Sequence, residues 1–355
     1  MKTKRFSSLM AVLLSLVLMS HSLAASSEAY ISLSKEQKIA VFEMEKSTGE
    51  LSWKHEIETP GSPGAMAFSA AGDRLYVALK SKGGIACFAL GENGEASLLG
   101  TVAIEGSAGY LTVHPSGRFL LSSYYSEGMV SVHRILEDGR LADEPVAIVE
   151  TDERAHAIVS DPKGRFVFVP HTRPNSIFQF RFNKDTGALT AGDHPILQRE
   201  EESGPRHLWF HPSLDLAYSS DEQGKAITGY ELSEGGALNV LETKSSFPDD
   251  YLEKGSTADI EVHPSGKFVY IANRGVNTIA GFRVNEENGT LALMQQSEVE
   301  PVPRSFNISP DGNHLVAAGQ QSGKLVVFRI DEGGLLHETQ RLDSGGSPWW
   351  VVFRP

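Results

Sequence analysis

Thr257 to Val284 reads TADIEVHPSGKFVYIANRGVNTIAGFRV. Apolar and polar side chains alternate from Ala258 to Val262, the period of a half-buried strand. His263-Pro264-Ser265-Gly266 makes a turn, Phe268 to Ala272 a second strand, Asn273 to Asn277 a polar loop, and Thr278 to Val284 a third strand. A fourth segment holding Gly289-Thr290-Leu291 follows. The unit recurs as PRSFNISPDGNHLVAAGQQSGKLVVFRI from Pro303 and AGYLTVHPSGRFLLSSYYSEGMVSVHRI from Ala108, with looser copies from Gly64, Ala155 and Pro205.

The turn glycine serves as the ruler. Gly72, Gly117, Gly164, Leu214 (where glycine is replaced), Gly266 and Gly312 are separated by 45, 47, 50, 52 and 46 residues. That period fits four-stranded propeller blades. Six units lie within the chain, and its two ends supply a seventh. The tail SPWWVVFRP, Ser347 to Pro355, matches a first strand, and AYISLSKEQKIAVFEM, Ala29 to Met44, matches the two strands after it. The expected fold is therefore all-β, a seven-bladed β-propeller of four-stranded blades closed by N- and C-terminal strands in one blade. One blade cannot bury both faces, and an open stack leaves two unpaired ends, which a ring removes.

Size and composition agree. Closed all-β domains reach 355 residues as one unit, and 40% hydrophobic with 22% charged residues suits a packed globular chain. Lys2, Lys4 and Arg5 precede an apolar run from Leu9 to Met19 and then Ser22-Leu23-Ala24, the pattern of a secretory signal peptide. The expected division is residues 1–24 as signal peptide and 25–355 as the propeller, exported to the periplasm or secreted, with no membrane attachment after cleavage. Loss of that leader takes the net charge from −13 to −16, a field that repels nucleic acid and anionic membranes. Any anion site must be built locally. Cys87 is the single cysteine, so no intramolecular disulfide is possible.

In GPRHLWFHP (Gly204 to Pro212), TADIEVHPSGK, PRSFNIS, LVAAGQQSGK and GLLHE (Gly334 to Glu338), the chain resembles the bacterial β-propeller lactonase family, whose best-known activity is 6-phosphogluconolactonase. The resemblance covers essentially the whole chain after the leader. It implies hydrolysis of a sugar lactone to the aldonic acid, with a small-molecule lactone as partner; the protein is expected to be a monomer. The same fold family holds a lactonising cyclase of the muconate type, and a non-catalytic ligand- or protein-binding propeller is the alternative from another class. The resemblance carries four site positions onto His156 in RAHAIV, Arg206 in GPRH, Glu222 in SSDEQ and Arg274 in ANRG. Asp221 stands where the family usually has asparagine, and His171 where it is often acidic.

Lactone hydrolysis needs a water made nucleophilic and an oxyanion stabilised. Glu222 or His156 takes the proton in this scheme, and Arg206 and Arg274 meet either the oxyanion or an anionic substrate group. Each also has a structural alternative, a hydrogen-bonded strand histidine or an inter-blade ion pair. Asp259, Arg304 and Gln320 occupy equivalent channel-facing positions in later units and are weaker substrate-binding candidates. His114, His211 and His263 precede the turn prolines and belong to the repeat architecture. Trp349 and Trp350 are read as blade packing, with alternation sending one inward. No H-E-x-x-H, G-x-S-x-G or P-loop pattern occurs, and neither cofactor nor metal is expected.

Overall fold

The computed structural model describes residues 26–355 apart from 82, 92, 93 and 105, so the expected signal peptide lies outside the described residues. Among the described residues, 28 strands form seven four-stranded antiparallel sheets arranged as a ring. The first blade is the closing one. Its inner strand, Pro348–Phe353, pairs with Ser26–Leu33, and Lys38–Glu45 and Leu51–Glu58 complete it. The second to seventh blades begin at Pro63, Ala108, Ala155, Pro205, Ser256 and Pro303 and run in chain order, so the seventh returns to the first.

Each blade buries both faces because alternate residues feed the hydrophobic layers on either side. Phe268, Tyr270 and Ala272 of the sixth blade, for example, pack with Phe306, Ile308, Leu315 and Ala317 of the seventh. Polar clasps join the blades in the same sense around the ring. Tyr76, Tyr218 and Tyr270 donate their hydroxyls to the carbonyls of Gly139, Gly289 and Gly334 in the following blade, at 3.0, 3.1 and 2.8 Å. Each such bond contributes roughly 0.5–1.5 kcal/mol net, so direction and register follow from their number more than from any one.

The pre-proline histidines work the same way. His114 Nδ1 accepts from the Ser116 backbone N–H, which leaves Nε2–H to donate to the Gly164 carbonyl at 3.1 Å. His263 does likewise with Ser265 and Gly312, at 2.7 Å. A Cβ on Gly164, Gly266 or Gly312 would stand 2.8, 2.3 or 2.8 Å from the histidine of the preceding blade. Gly72 and Gly117 face no histidine and share only the positive φ, +67° and +69°. Leu214, the one irregular ruler mark, has neither a positive φ nor a facing histidine. The fourth blade has Asp161 in place of the histidine, and Asp161 turns back to accept the Arg165 and Phe166 N–H groups. Space is thereby left for Leu214 in the fifth blade.

Inner strands carry a bulge near their start. The pairing slips by one residue between Pro205 and His207, between Pro303 and Ser305, and between Ala108 and Tyr110. A bulged residue is freed from the ladder and its side chain is re-aimed. Arg206, Arg304 and Gly109 hold that position in their blades, and Trp349 and Gly64 hold it in the first and second.

Candidate active site

Two rings of side chains surround one end of the channel, and the repeat register defines both. The bulge ring contains Trp349, Gly64, Gly109, His156, Arg206, Ala258 and Arg304 in blade order. The second ring is the residue following the partner of the residue that precedes the bulge. It contains Ser34, Lys80, Tyr125, Thr172, Glu222, Arg274 and Gln320. Blades four to seven thus contribute His156, Arg206, Glu222, Arg274 and Arg304 to one mouth.

Glu222 is the anion at the centre. Its Oε1 accepts from Arg274 Nη2 at 2.5 Å, and its Oε2 lies 3.9 Å from Arg206 Nε. Burial alone would raise its carboxyl, but Arg206 and Arg274 outweigh that and hold it below the ordinary carboxylate range. Arg274 Nη2 also donates to the Thr257 carbonyl at 2.9 Å, which fixes the guanidinium between two blades. Arg206 is 1% exposed, and a buried guanidinium without an anion costs several kcal/mol. Burial and then the fields of Arg304 and Arg274 disfavour its charge, while Glu222 and Asp259 favour it.

His156 stands at the start of the fourth unit, where the repeat puts a unit's first strand. It lies instead just before the short strand Val159–Ser160, with its N–H on the Pro170 carbonyl at 2.9 Å. Pro170 has a carbonyl but no N–H to return, so the ladder is cut short there. The buried ring faces Tyr125 and His207 at 5.5 and 5.1 Å, and its Nδ1 has no partner. Burial first, then Arg206 and His207, hold His156 well below its ordinary pKa, so it is neutral at pH 7.

His207, absent from the sequence candidates, links this mouth to Asp259. Its Nδ1–H donates to Asp259 Oδ1 at 2.7 Å, and its Nε2 accepts from Arg206 Nη1 at 3.1 Å. With the carboxylate and the guanidinium each dictating one ring nitrogen, a single neutral tautomer results. Burial, then Arg206, push its pKa down to about 4. His207, Tyr110 and Trp350 meet across the channel, with centroid distances of 5.1, 5.3 and 5.9 Å. They form a floor, so the mouth is a cup and not a pore. Asp259 therefore orients the floor and does not face the mouth directly. Beyond the floor lies a separate cavity of about 260 Å³ lined in part by Thr112, Trp209, Glu261 and Asn307.

Gln320 holds the same register position as Glu222, yet among the described residues its side chain bonds to none of the other candidates. Trp350 reaches the channel floor and Trp349 the mouth, where its ring lies 3.0 Å from Lys80 Nζ and 3.8 Å from Arg304 Cζ. Blade packing, the sequence expectation for both, omits these contacts. Lys80 and Tyr125 were also missed, although aligning every unit on Glu222 would have exposed them.

The two family departures have partners of their own. Asp221 is buried, accepts from Ser219 and Thr228 at 2.7 and 2.6 Å, and lies 3.5 Å from the buried Arg199. Burial raises its pKa to about 6. His171 is buried between the Val169 carbonyl and the Thr151 hydroxyl. Among the described residues no group of three or more His, Cys, Asp or Glu is arranged to hold a metal ion.

The class defined so far is a closed seven-bladed propeller whose channel is floored by aromatics and rimmed by arginines around one carboxylate. More particularly, the chain belongs to the lactonase family: the model described as "Lactonase, 7-bladed beta-propeller" matches residues 25–353. A 6-phosphogluconolactonase of Klebsiella pneumoniae (strain 342) is 32% identical over 326 residues, 91% of this chain and 97% of its own length. One from Yersinia pestis (strain Pestoides F) is 29% identical over 327 residues, 92% and 97% of the two chains. The periplasmic gluconolactonase of Pseudomonas aeruginosa superposes with a TM-score of 0.87 at 23% identity, over 93% of this chain and 99% of that one. That last likeness shows the fold.

Proposed function

We propose that this chain is a lactonase that opens a sugar lactone to the aldonic acid at the Glu222 mouth. The observation that carries the proposal is the pairing of an ionised Glu222, held by Arg274 and close to Arg206, with a neutral His156 whose Nδ1 is unpartnered. Named 6-phosphogluconolactonases along 97% of their length support the same reading.

In this scheme His156 takes a proton from the attacking water, because both Glu222 oxygens face guanidiniums while the imidazole is neutral and in no ion pair. The water oxygen bonds to the carbonyl carbon, and Arg206 stabilises the resulting oxyanion. Collapse breaks the ring C–O bond, and the departing oxygen recovers the proton from His156. Glu222 holds the arginines in place and balances their charge. The N-terminal pattern supports export of the enzyme, and determining the N-terminus of the secreted protein tests it.

The test is a lactone panel that includes gluconolactone and 6-phosphogluconolactone, each measured against spontaneous opening. Wild type is expected to exceed the spontaneous rate, and His156→Ala and Glu222→Gln each to lower kcat by roughly 10²–10⁴-fold. A panel on which wild type and both variants match the spontaneous rate would overturn the lactonase reading in favour of a binding propeller.

A further inference from the structure

Opposite His156 and Glu222, the seventh, first and second blades bring two cations onto one indole. Lys80 Nζ is 3.0 Å and Arg304 Cζ 3.8 Å from the Trp349 ring centre. Both side chains are partly buried, and among the described residues neither has a carboxylate within ion-pair distance. Some partly buried cations of this acidic chain are ion-paired, Lys54 and Arg354 with Glu28 and the buried Arg199 with Asp221, while among the described residues Lys46, Arg134, Arg154 and Lys225 are not. What sets Lys80 and Arg304 apart is that two cations lie side by side on one ring with no ion pair, the carboxylates that favour the Arg304 charge, Glu222 and Asp259, standing beyond that distance. Gly64 adds to it, since a Cβ there would stand 3.0 Å from Lys80 Cγ and crowd its stem.

We infer that Lys80, Arg304 and the face of Trp349 form an oxyanion-binding corner that holds a phosphate or carboxylate on the substrate, across the cup from the reacting carbonyl. This inference rests on the lactone-opening reading above. The physical reason is charge compensation. Two like charges brought together in a partly desolvated corner repel, and a bound oxyanion with several acceptor oxygens relieves that while taking hydrogen bonds from both. The indole supplies a rigid wall whose face favours the cations in the unliganded protein. Burial and the neighbouring Arg304 lower the Lys80 pKa to about 8, as such crowding would produce. An acidic protein thereby selects an anionic lactone against its own overall field.

The test compares three lactones that differ at one end: gluconolactone, glucarolactone with a carboxylate there, and 6-phosphogluconolactone. Lys80→Met is expected to reduce kcat/KM on one or both charged lactones about tenfold more than on the neutral one, and Lys80→Arg to restore the preference. Whichever charged lactone shows the larger effect identifies the group held. Equal losses on all three would overturn the corner while leaving the lactonase reading intact. An equilibrium arm covers a chain that opens none of them. Inorganic phosphate and 6-phosphogluconate are titrated against tryptophan fluorescence in wild type and Lys80→Met, with thermal midpoints confirming that both are folded. Saturable binding weakened about tenfold by the variant supports the corner without catalysis. Binding that is absent, or equal in the two proteins, overturns it.

Discussion

Individual side chains at the mouth owe their ionisation to neighbours more than to type. His156 and His207 are both neutral, for related reasons of burial and nearby arginines, but only His207 has both nitrogens engaged. A base already unprotonated well below its ordinary range predicts a flat profile. kcat is expected to change little between roughly pH 6 and 8, and a steep fall within that window would exclude His156 as sole base. Lys80 behaves differently. Its charge is lost as pH rises through about 8, because burial and then Arg304 oppose the ammonium. The groups it meets are Arg304 and the Trp349 face, neither of which changes charge there. Affinity for 6-phosphogluconate should therefore weaken between about pH 7 and pH 9 in wild type and hold in Lys80→Arg, whose guanidinium stays charged. Calorimetric titration at the two values decides it, and equal wild-type affinities would count against the corner.

At the scale of the strand and its turn, the clasp between a pre-proline histidine and the next blade's glycine governs what each turn tolerates. Gly312 has φ +77° and lies against the His263 ring, so an added methyl meets both backbone strain and the imidazole. Gly312→Ala is expected to destabilise by roughly 1–3 kcal/mol in urea unfolding. Combined with His263→Ala, the steric part of that loss should disappear, giving a coupling that a double-mutant cycle reads. Leu214 faces no histidine, and Leu214→Gly should cost less than Gly312→Ala. The reverse order would refute the clasp as a constraint on the Gly312 turn. The inner-strand bulge is the other element-level device. It converts one register position into a ring of residues at the channel mouth without altering the blade.

For the whole molecule, closure depends on Pro348–Phe353, which pairs with Ser26–Leu33 and also carries Trp349 and Trp350. Ending the chain after Gly346 would leave the first blade without its inner strand and the cup without its floor and one wall. Such a protein is expected to show no cooperative thermal transition. A truncated chain melting cooperatively near the wild-type midpoint would mean that six blades and an open edge suffice. The acidic body and the cationic cup also oppose each other at this scale. Long-range charge repels the anion that the local corner is built to hold, so added salt should raise its association rate while weakening the final contact.

The repeat of alternating strands and Pro-Xaa-Gly turns determined the propeller, its blade count and its closure, because strand period and turn chemistry are local properties written residue by residue. Sequence and family likeness also singled out Arg206, Glu222 and Arg274, which the fold brings to one mouth. What the tertiary structure alone decided lies between blades. Nothing in the local sequence says that His207 bridges Arg206 to Asp259, that Lys80 and Arg304 share Trp349 across three blades, or that the channel is floored. Pro170 cut short the inner strand beside His156, and a one-residue bulge sent Trp349 to the mouth. The reason is geometric: strand patterning specifies which face a residue takes, but ring closure and bulges specify which residues from distant blades meet.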